Sequence, residues 1–368
     1  MLTEFEEQMK DTDTQRFRFR QAGELLQEPR QIEWLIKDYF EKGALSNTFG
    51  DTGSLKSFNA LDQCLCVSSG KSFHGKKTNS GAVFYICGEG FNGLSRRIKA
   101  WEIYHQIPTM DIPFFVSDRA AQLLDSDNAD EVVAAVEEMR EKHGTTPVLI
   151  VIDTLNRNFG PGDENSTKDM TQFIAIIDEK LRMRYGCAVS IIHHSGLSTG
   201  DRARGASALK AALDFEYKMQ KNADKTVTLT CTKCKDFEAP APMTFRTEPV
   251  ALTGWMDPDT GEELTSIVLV QTERVHVSKP LSGAKKIAFD SLLRVIETAG
   301  LSPVPASNGA NVAHIDAWRA DAYRNGISAE GTSAKKIAFY RAVKNLRSDC
   351  LVSMTDDFYW PNNEANLQ

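Results

Sequence analysis

The chain has 368 residues, 41% of them apolar and 25% charged, with a formal net charge of -7. That is enough apolar material for one large core and a smaller satellite domain, and the negative balance excludes a general electrostatic attraction to nucleic acid, so any such contact must come from local clusters. No apolar run approaches the ~20 residues of a spanning helix, and the mixed polar stretch Met1 to Arg20 is unlike a signal peptide, so the expectation is a cytoplasmic protein with no membrane partner.

Residues 1–30 read as a polar N-terminal segment. From residue 31 onward, short β-type runs alternate with helix-period segments, the pattern of an α/β domain with a mostly parallel sheet. The runs are Ala44 to Phe49, Ala82 to Cys87, Phe114 to Val116, Val148 to Ile152 and Ala188 to Ile192. Between them, Phe58, Leu61 and Leu65 share one helix face, as do Leu94, Ile98 and Trp101, and Val132, Val136 and Met139. From Asp214 the texture turns β-rich, with Phe215 to Met219, a polar turn, Val227 to Cys231, and strands near Phe245 and Ser266 to Val270. This predicts an antiparallel extension of the sheet and a domain running from 31 to 272.

A polar linker, 273–283, leads to residues 284–368. Helical periods over Ile287 to Ala299, Ala313 to Tyr323 and Lys335 to Asn345 are followed by a hairpin pattern, Leu351 to Met354 and Phe358 to Trp360. Three helices and a hairpin predict a winged helix, with Trp318, Phe339, Leu346, Leu351 and Tyr359 as its core and Lys335, Lys336, Arg341, Lys344 and Arg347 near its DNA-facing helix. The seven cysteines are scattered, and the single pair Cys231 and Cys234 lacks the second pair of ligands that a zinc site needs.

One segment carries chemistry. Gly50-Asp51-Thr52-Gly53-Ser54-Leu55-Lys56-Ser57 follows a predicted strand and opens a predicted helix, the context in which G-x-x-x-x-G-K-[ST] wraps phosphates. Backbone N–H groups of such a loop face the anion, Lys56 neutralises charge on the β- and γ-phosphates of ATP, and the Ser57 hydroxyl ligates Mg2+. Leu55 stands where the pattern has glycine, so its side chain either points away from phosphate or crowds it. The strand Val148 to Ile152 ends in Asp153, a carboxylate suited to a Mg2+-bound water.

Two further strand ends point toward the same edge of the sheet, where open α/β sheets bind ligands. Glu89, in Gly-Glu-Gly after the run ending at Cys87, is placed to polarise an attacking water. His193 and His194 follow Val189 to Ile192 and are placed to bond the γ-phosphate or that water.

These stretches, with Ile86 to Gly90, Ile-Asp-Thr-Leu (Ile152 to Leu155), Arg204 to Ser207 and Thr-Lys-Cys-Lys-Asp (Thr232 to Asp236), resemble RecA-type ATPases of the RepA-like replicative helicase group of plasmids and phages. The resemblance spans about residues 31 to 240. It implies an α/β RecA-like P-loop core, Glu89 as catalytic base, Asp153 as the Mg2+ ligand and His193 and His194 as the γ-phosphate sensor. It also implies a homo-oligomeric, hexameric ring in which Lys233 or Lys235 completes a neighbour's site, and a channel loop whose Arg202 and Arg204 hold single-stranded DNA. The function expected is an ATP-hydrolysing DNA helicase in replication or recombination. Two alternatives stay open: a nucleotide-gated DNA-binding or regulatory ATPase without unwinding, and a scaffold that keeps the fold but not the turnover.

Overall fold

Short apolar runs bounded by glycine and polar residues form the strands, and the amphipathic stretches between them form the crossover helices. The structure is a computed structural model and describes residues 19, 21–27, 32–194, 207–273, 281–299, 301–304, 307, 309–328, 331–349 and 351–362. The chain divides into two units, residues 1–275 and 276–368.

The first unit opens with α1 (Ala22–Gln27) and a small two-stranded sheet, β1 (Trp34–Ile36) and β2 (Phe40–Glu41). Then come β3 (Leu45–Gly50), α2 (Lys56–Ser69), β4 (Ala82–Cys87), α3 (Phe91–His105), β5 (Phe114–Val116), α4 (Ser126–His143) and β6 (Pro147–Asp153). After these follow α5 (Leu155–Phe159), α6 (Thr167–Ile177, continued by a π-type stretch, Asp178–Met183), β7 (Ala188–His194), α7 (Ser207–Ala212) and β8 (Phe215–Lys221). The unit closes with β9 (Val227–Cys234), β10 (Met243–Met256) and β11 (Glu263–Thr272).

Nine strands form one sheet in the order β11-β10-β9-β8-β3-β7-β6-β4-β5. From β8 to β5 every neighbouring pair is parallel, whereas β9, β10 and β11 are antiparallel. The antiparallel extension therefore begins at β9 and not, as the sequence texture implied, at Asp214. Strand β8 enters parallel to β3, and the tight turn at Asn222 to Thr226 reverses direction into β9.

Both sheet faces are covered, as a parallel sheet requires. One core joins α2 and α3 to Val83, Tyr85, Leu149, Val151, Tyr217 and Met219. The other joins α4, α5 and α6 to Phe84, Ile86, Ile150, Ile152 and Ile191. The consequence for chemistry is that the carboxyl ends of β3, β7, β6 and β4, four adjacent strands, open on one edge of the sheet. Among the described residues no helix is long and apolar enough to cross a membrane.

The second unit packs α8 (Gly283–Ala299), α9 (Ile315–Arg324) and α10 (Thr332–Ser348) with a three-stranded antiparallel sheet. The strands are β12 (Ala313–His314), β13 (Val352–Thr355) and β14 (Phe358–Pro361), in the order β12-β14-β13. Trp318, Phe339, Leu346 and Tyr359 form the centre of its core, and Leu351 packs at the margin. The Trp318 indole, fully buried, donates to the carbonyl of Ala288 at 2.7 Å, so its polar edge is satisfied as burial demands.

Candidate active site

Strand β3 stops at Gly50 because the next residues turn sharply beneath the end of β8. A side chain at Gly50 would lie 2.1 Å from the carbonyl oxygen of Met219, so only glycine fits. The turn closes with the Ser54 N–H donating to the Asp51 carbonyl at 3.1 Å. Leu55 then takes φ 64° and ψ 25°, the left-handed conformation that glycine adopts freely, and α2 begins at Lys56. The side chain of Leu55 packs against the apolar core shared by α2 and α3. Of the two arrangements open at this position, the leucine takes the one that leaves the loop clear.

That conformation gives a direct test. In a strained left-handed position, Leu55→Gly is expected to be more stable than Leu55→Ala by about 1 kcal/mol, the reverse of their helix preferences. Thermal or urea melts of the two variants measure it, and an alanine variant at least as stable would remove the strain.

Lys56 is almost fully buried, 5% exposed, with its amine 2.9 Å from the carbonyl oxygens of both Gly50 and Asp51 and 3.5 Å from His194 Nδ1. Burial holds its pKa below the ordinary lysine value, and the charges of Asp153, Asp51 and Glu89 oppose that without overcoming it. A lysine held at a loop of turned backbone, among three carboxylates, is arranged to meet a polyanion and its metal.

Asp153 ends β6 with 3% exposure. Its Oδ2 accepts from the Tyr85 hydroxyl, while Oδ1 has no hydrogen-bond partner among the described residues. Burial raises its pKa; the hydroxyls of Tyr85 and Ser57 oppose that without overcoming it. A buried carboxylate with a free oxygen and a hydroxyl beside it is a hard donor set that suits Mg2+. Ser54 Oγ, within the loop itself, is another buried polar atom with no hydrogen-bond partner among the described residues. The residues present therefore fit ATP with Mg2+.

Glu89 follows β4 at the start of α3. Gly88 before it has no room for a side chain, because a Cβ would come within 2.5 Å of the Arg157 Cβ and 2.7 Å of the Asn158 amide. Glu89 is 42% exposed, with Oε1 3.7 Å from His194 Nε2 and Oε2 3.6 Å from Arg157 Nε. His194 thus stands between Lys56 and Glu89. Burial, and then the neighbouring Lys56 charge, lower its pKa, so at neutral pH it is an uncharged imidazole.

The two histidines do not act together in this geometry. Successive side chains of a strand face opposite ways, and His193 lies on the other face of β7, 1% exposed, with Nε2 3.6 Å from Glu164 Oε2. Lys233 and Lys235 also lie apart from the cluster. Lys233 donates to the carbonyls of Lys210 (2.7 Å) and Ala211 (3.1 Å) at the end of α7, and Lys235 lies 3.6 Å from Asp214 Oδ1. Arg202 and Arg204 fall outside the described residues. Three residues not expected from sequence join the site: Tyr85, Arg157, and Arg97, whose guanidinium lies 4.6 Å above the Phe58 ring and whose charge opposes, without overcoming, the rise of the Asp153 pKa.

Comparison with protein families matches residues 11–200, more than half of the chain, to the AAA domain. A comparison with curated proteins finds no match. The matched residues contain the Gly50 to Ser57 loop, Glu89, Asp153 and His194, and the large mostly parallel sheet that carries them has the build of a P-loop core. The chain belongs to the AAA-domain family of P-loop ATPases.

Proposed function

We propose that this chain is an ATP-driven motor of the RepA-like helicase kind, acting on single-stranded DNA. The observation that supports this reading best is the convergence of Lys56, His194, Asp153 and Glu89 at the ends of four adjacent strands, with His194 spanning Lys56 and Glu89. ATP bound with Mg2+ supplies the phosphoanhydride and the charge neutralisation of its transfer. Lys56 and the loop amides hold the phosphates, Ser57 and Asp153 hold the metal, and Glu89 takes the proton of the attacking water.

His194 is the last residue of β7, and Arg202 and Arg204 follow in the next stretch of chain. A neutral imidazole that senses the γ-phosphate there sits directly before the segment that would grip a DNA strand, which gives the two events a short covalent link. In a homo-hexameric ring, Lys233 or Lys235 would leave its present carbonyl or carboxylate partner to reach a neighbour's nucleotide. The second unit, with three helices and a three-stranded sheet, fits a winged-helix module.

Leu55, standing where a phosphate loop has glycine, keeps open a second reading, a nucleotide-gated DNA binder that orders an oligomer without unwinding. Mg2+-dependent ATP turnover, with and without single-stranded DNA, separates the two. Severalfold stimulation by the single strand is expected. Turnover indifferent to DNA would remove the motor and leave the gated binder.

A further inference from the structure

The two units differ in charge. Residues 276–368 carry eleven lysines and arginines against nine acids, net +2, whereas residues 1–275 carry 32 against 41, net -9. Within the second unit, four of the five cations of α8 and α9 find acids close by: Lys285 pairs with Asp349, Arg294 and Arg324 with Asp321, and Arg319 with Asp316, leaving Lys286. Helix α10 is built otherwise. Over Thr332–Ser348 it has five cations and no acid, and among the described residues none of Lys335, Lys336, Arg341, Lys344 and Arg347 has an ion-pair partner.

Their spacing concentrates them. At about 100° per residue, Lys336, Arg347, Tyr340, Lys344, Ile337 and Arg341 fall within an arc of about 140° along about 17 Å of helix axis, with Lys335 outside it. The opposite side, Phe339, Ala342, Val343 and Leu346, is buried in the core. Ile337 is 61% exposed and Tyr340 42%, so the cations surround apolar surface that the fold could have buried or replaced. The Tyr340 hydroxyl accepts from Arg319 Nη1 at 3.0 Å, which holds its ring in place on the helix face.

We propose that this face of α10 is a docking site for duplex DNA, entering the major groove and working independently of the ATP site. The shape supports duplex over single strand. A convex helix of ~10–12 Å diameter matches a major groove ~12 Å wide, whereas single strands are held in grooves lined by several stacking aromatics, and this face has one. The deep, narrow major groove of duplex RNA would not admit it. Beside the helix, a recess of about 670 Å³ lined by Lys344, Arg347, Ser353, Met354 and Tyr359 gives a phosphate ridge room to lie against two of the cations. Ile337 suits apolar contact with a thymine methyl. The β13–β14 turn bears Asp356 and Asp357, whose charge opposes a phosphate backbone, so the helix rather than the hairpin is the contacting element.

The test uses the full chain without nucleotide, a mixed-sequence duplex and one of its strands alone, each labelled for anisotropy and titrated across salt. Replacing Lys336, Arg341, Lys344 and Arg347 by alanine, a strong helix former, is expected to weaken duplex binding at least tenfold and to reduce the slope of log K against log salt by about 3 to 4. DNA-free ATP turnover and the thermal melt should not change. The pair Arg341→Ala and Lys344→Ala, less demanding on folding, should reduce the slope by about 2. A wild type that does not bind duplex, variants that bind it as the wild type does, or a loss confined to the single strand would each overturn the proposal. Stimulation of ATP turnover by single-stranded DNA reports on the motor reading separately, so either idea can fail alone.

Discussion

Glu89→Gln is expected to lower Mg2+-dependent ATP turnover by about 10²- to 10⁴-fold, the range for losing a positioned general base, while leaving nucleotide binding nearly intact. The geometry separates the two effects. Glu89 is half-exposed at the end of β4, its side-chain ion-pair partners are His194 and Arg157, and it reaches Lys56 of the Gly50 to Ser57 loop through its charge alone. Glutamine keeps the size of the side chain and its reach toward His194, but its amide cannot take a proton from water. Steady-state turnover gives the first number, and a fluorescent-nucleotide titration the second. Binding that collapses together with turnover would make Glu89 a structural residue of the site.

The phosphate loop was legible because its information is local: a strand, eight residues at fixed spacing and a helix start need no knowledge of distant chain. Asp153 and Glu89 were legible for a related reason, since a polar residue closing an apolar strand marks the carboxyl edge of a parallel sheet. Tyr85 was not. It sits within the apolar run Ala82 to Cys87, and only the pairing of β4 with β6 brings its hydroxyl to Asp153. The histidine pair shows the limit of motif reading from the other side. Adjacency in sequence suggests a shared role, yet in an extended strand it places His193 and His194 on opposite faces. Helix α6 was absent from the elements expected, although Ser166 caps it and Met170, Phe173, Ile174 and Ile177 follow a helical period, so that signal was present and missed. The strands β1 and β2, three and two residues long, offer no period to find. Leu55 is intermediate: sequence flagged the missing glycine, and only the backbone angles showed that the leucine accepts the glycine's conformation.

The Asp153→Asn variant should gain stability while losing function. In the wild type, burial raises the carboxyl pKa above its ordinary value, and the Tyr85 and Ser57 hydroxyls do not compensate fully. The folded state therefore holds the proton more tightly than the unfolded chain, and stability falls as pH rises from the unfolded value through the folded one. Asparagine removes that charge and can still accept from Tyr85. The variant should then melt close to the wild type at acidic pH, with a gap that opens as pH rises toward neutrality. Stabilisation of about 1 kcal/mol, usual for neutralising an active-site group, corresponds to ~2–4 °C for a unit of this size. Mg2+ with ADP should reverse the order, because a ligand that binds the native state raises the melting temperature only of the protein that can hold it. Turnover of the variant should be lost along with that shift. Melts at several pH values, with and without Mg2+ and ADP, decide the matter: a variant less stable than the wild type at neutral pH, or one still stabilised by Mg2+ and ADP, would show that Asp153 supports the fold rather than the metal.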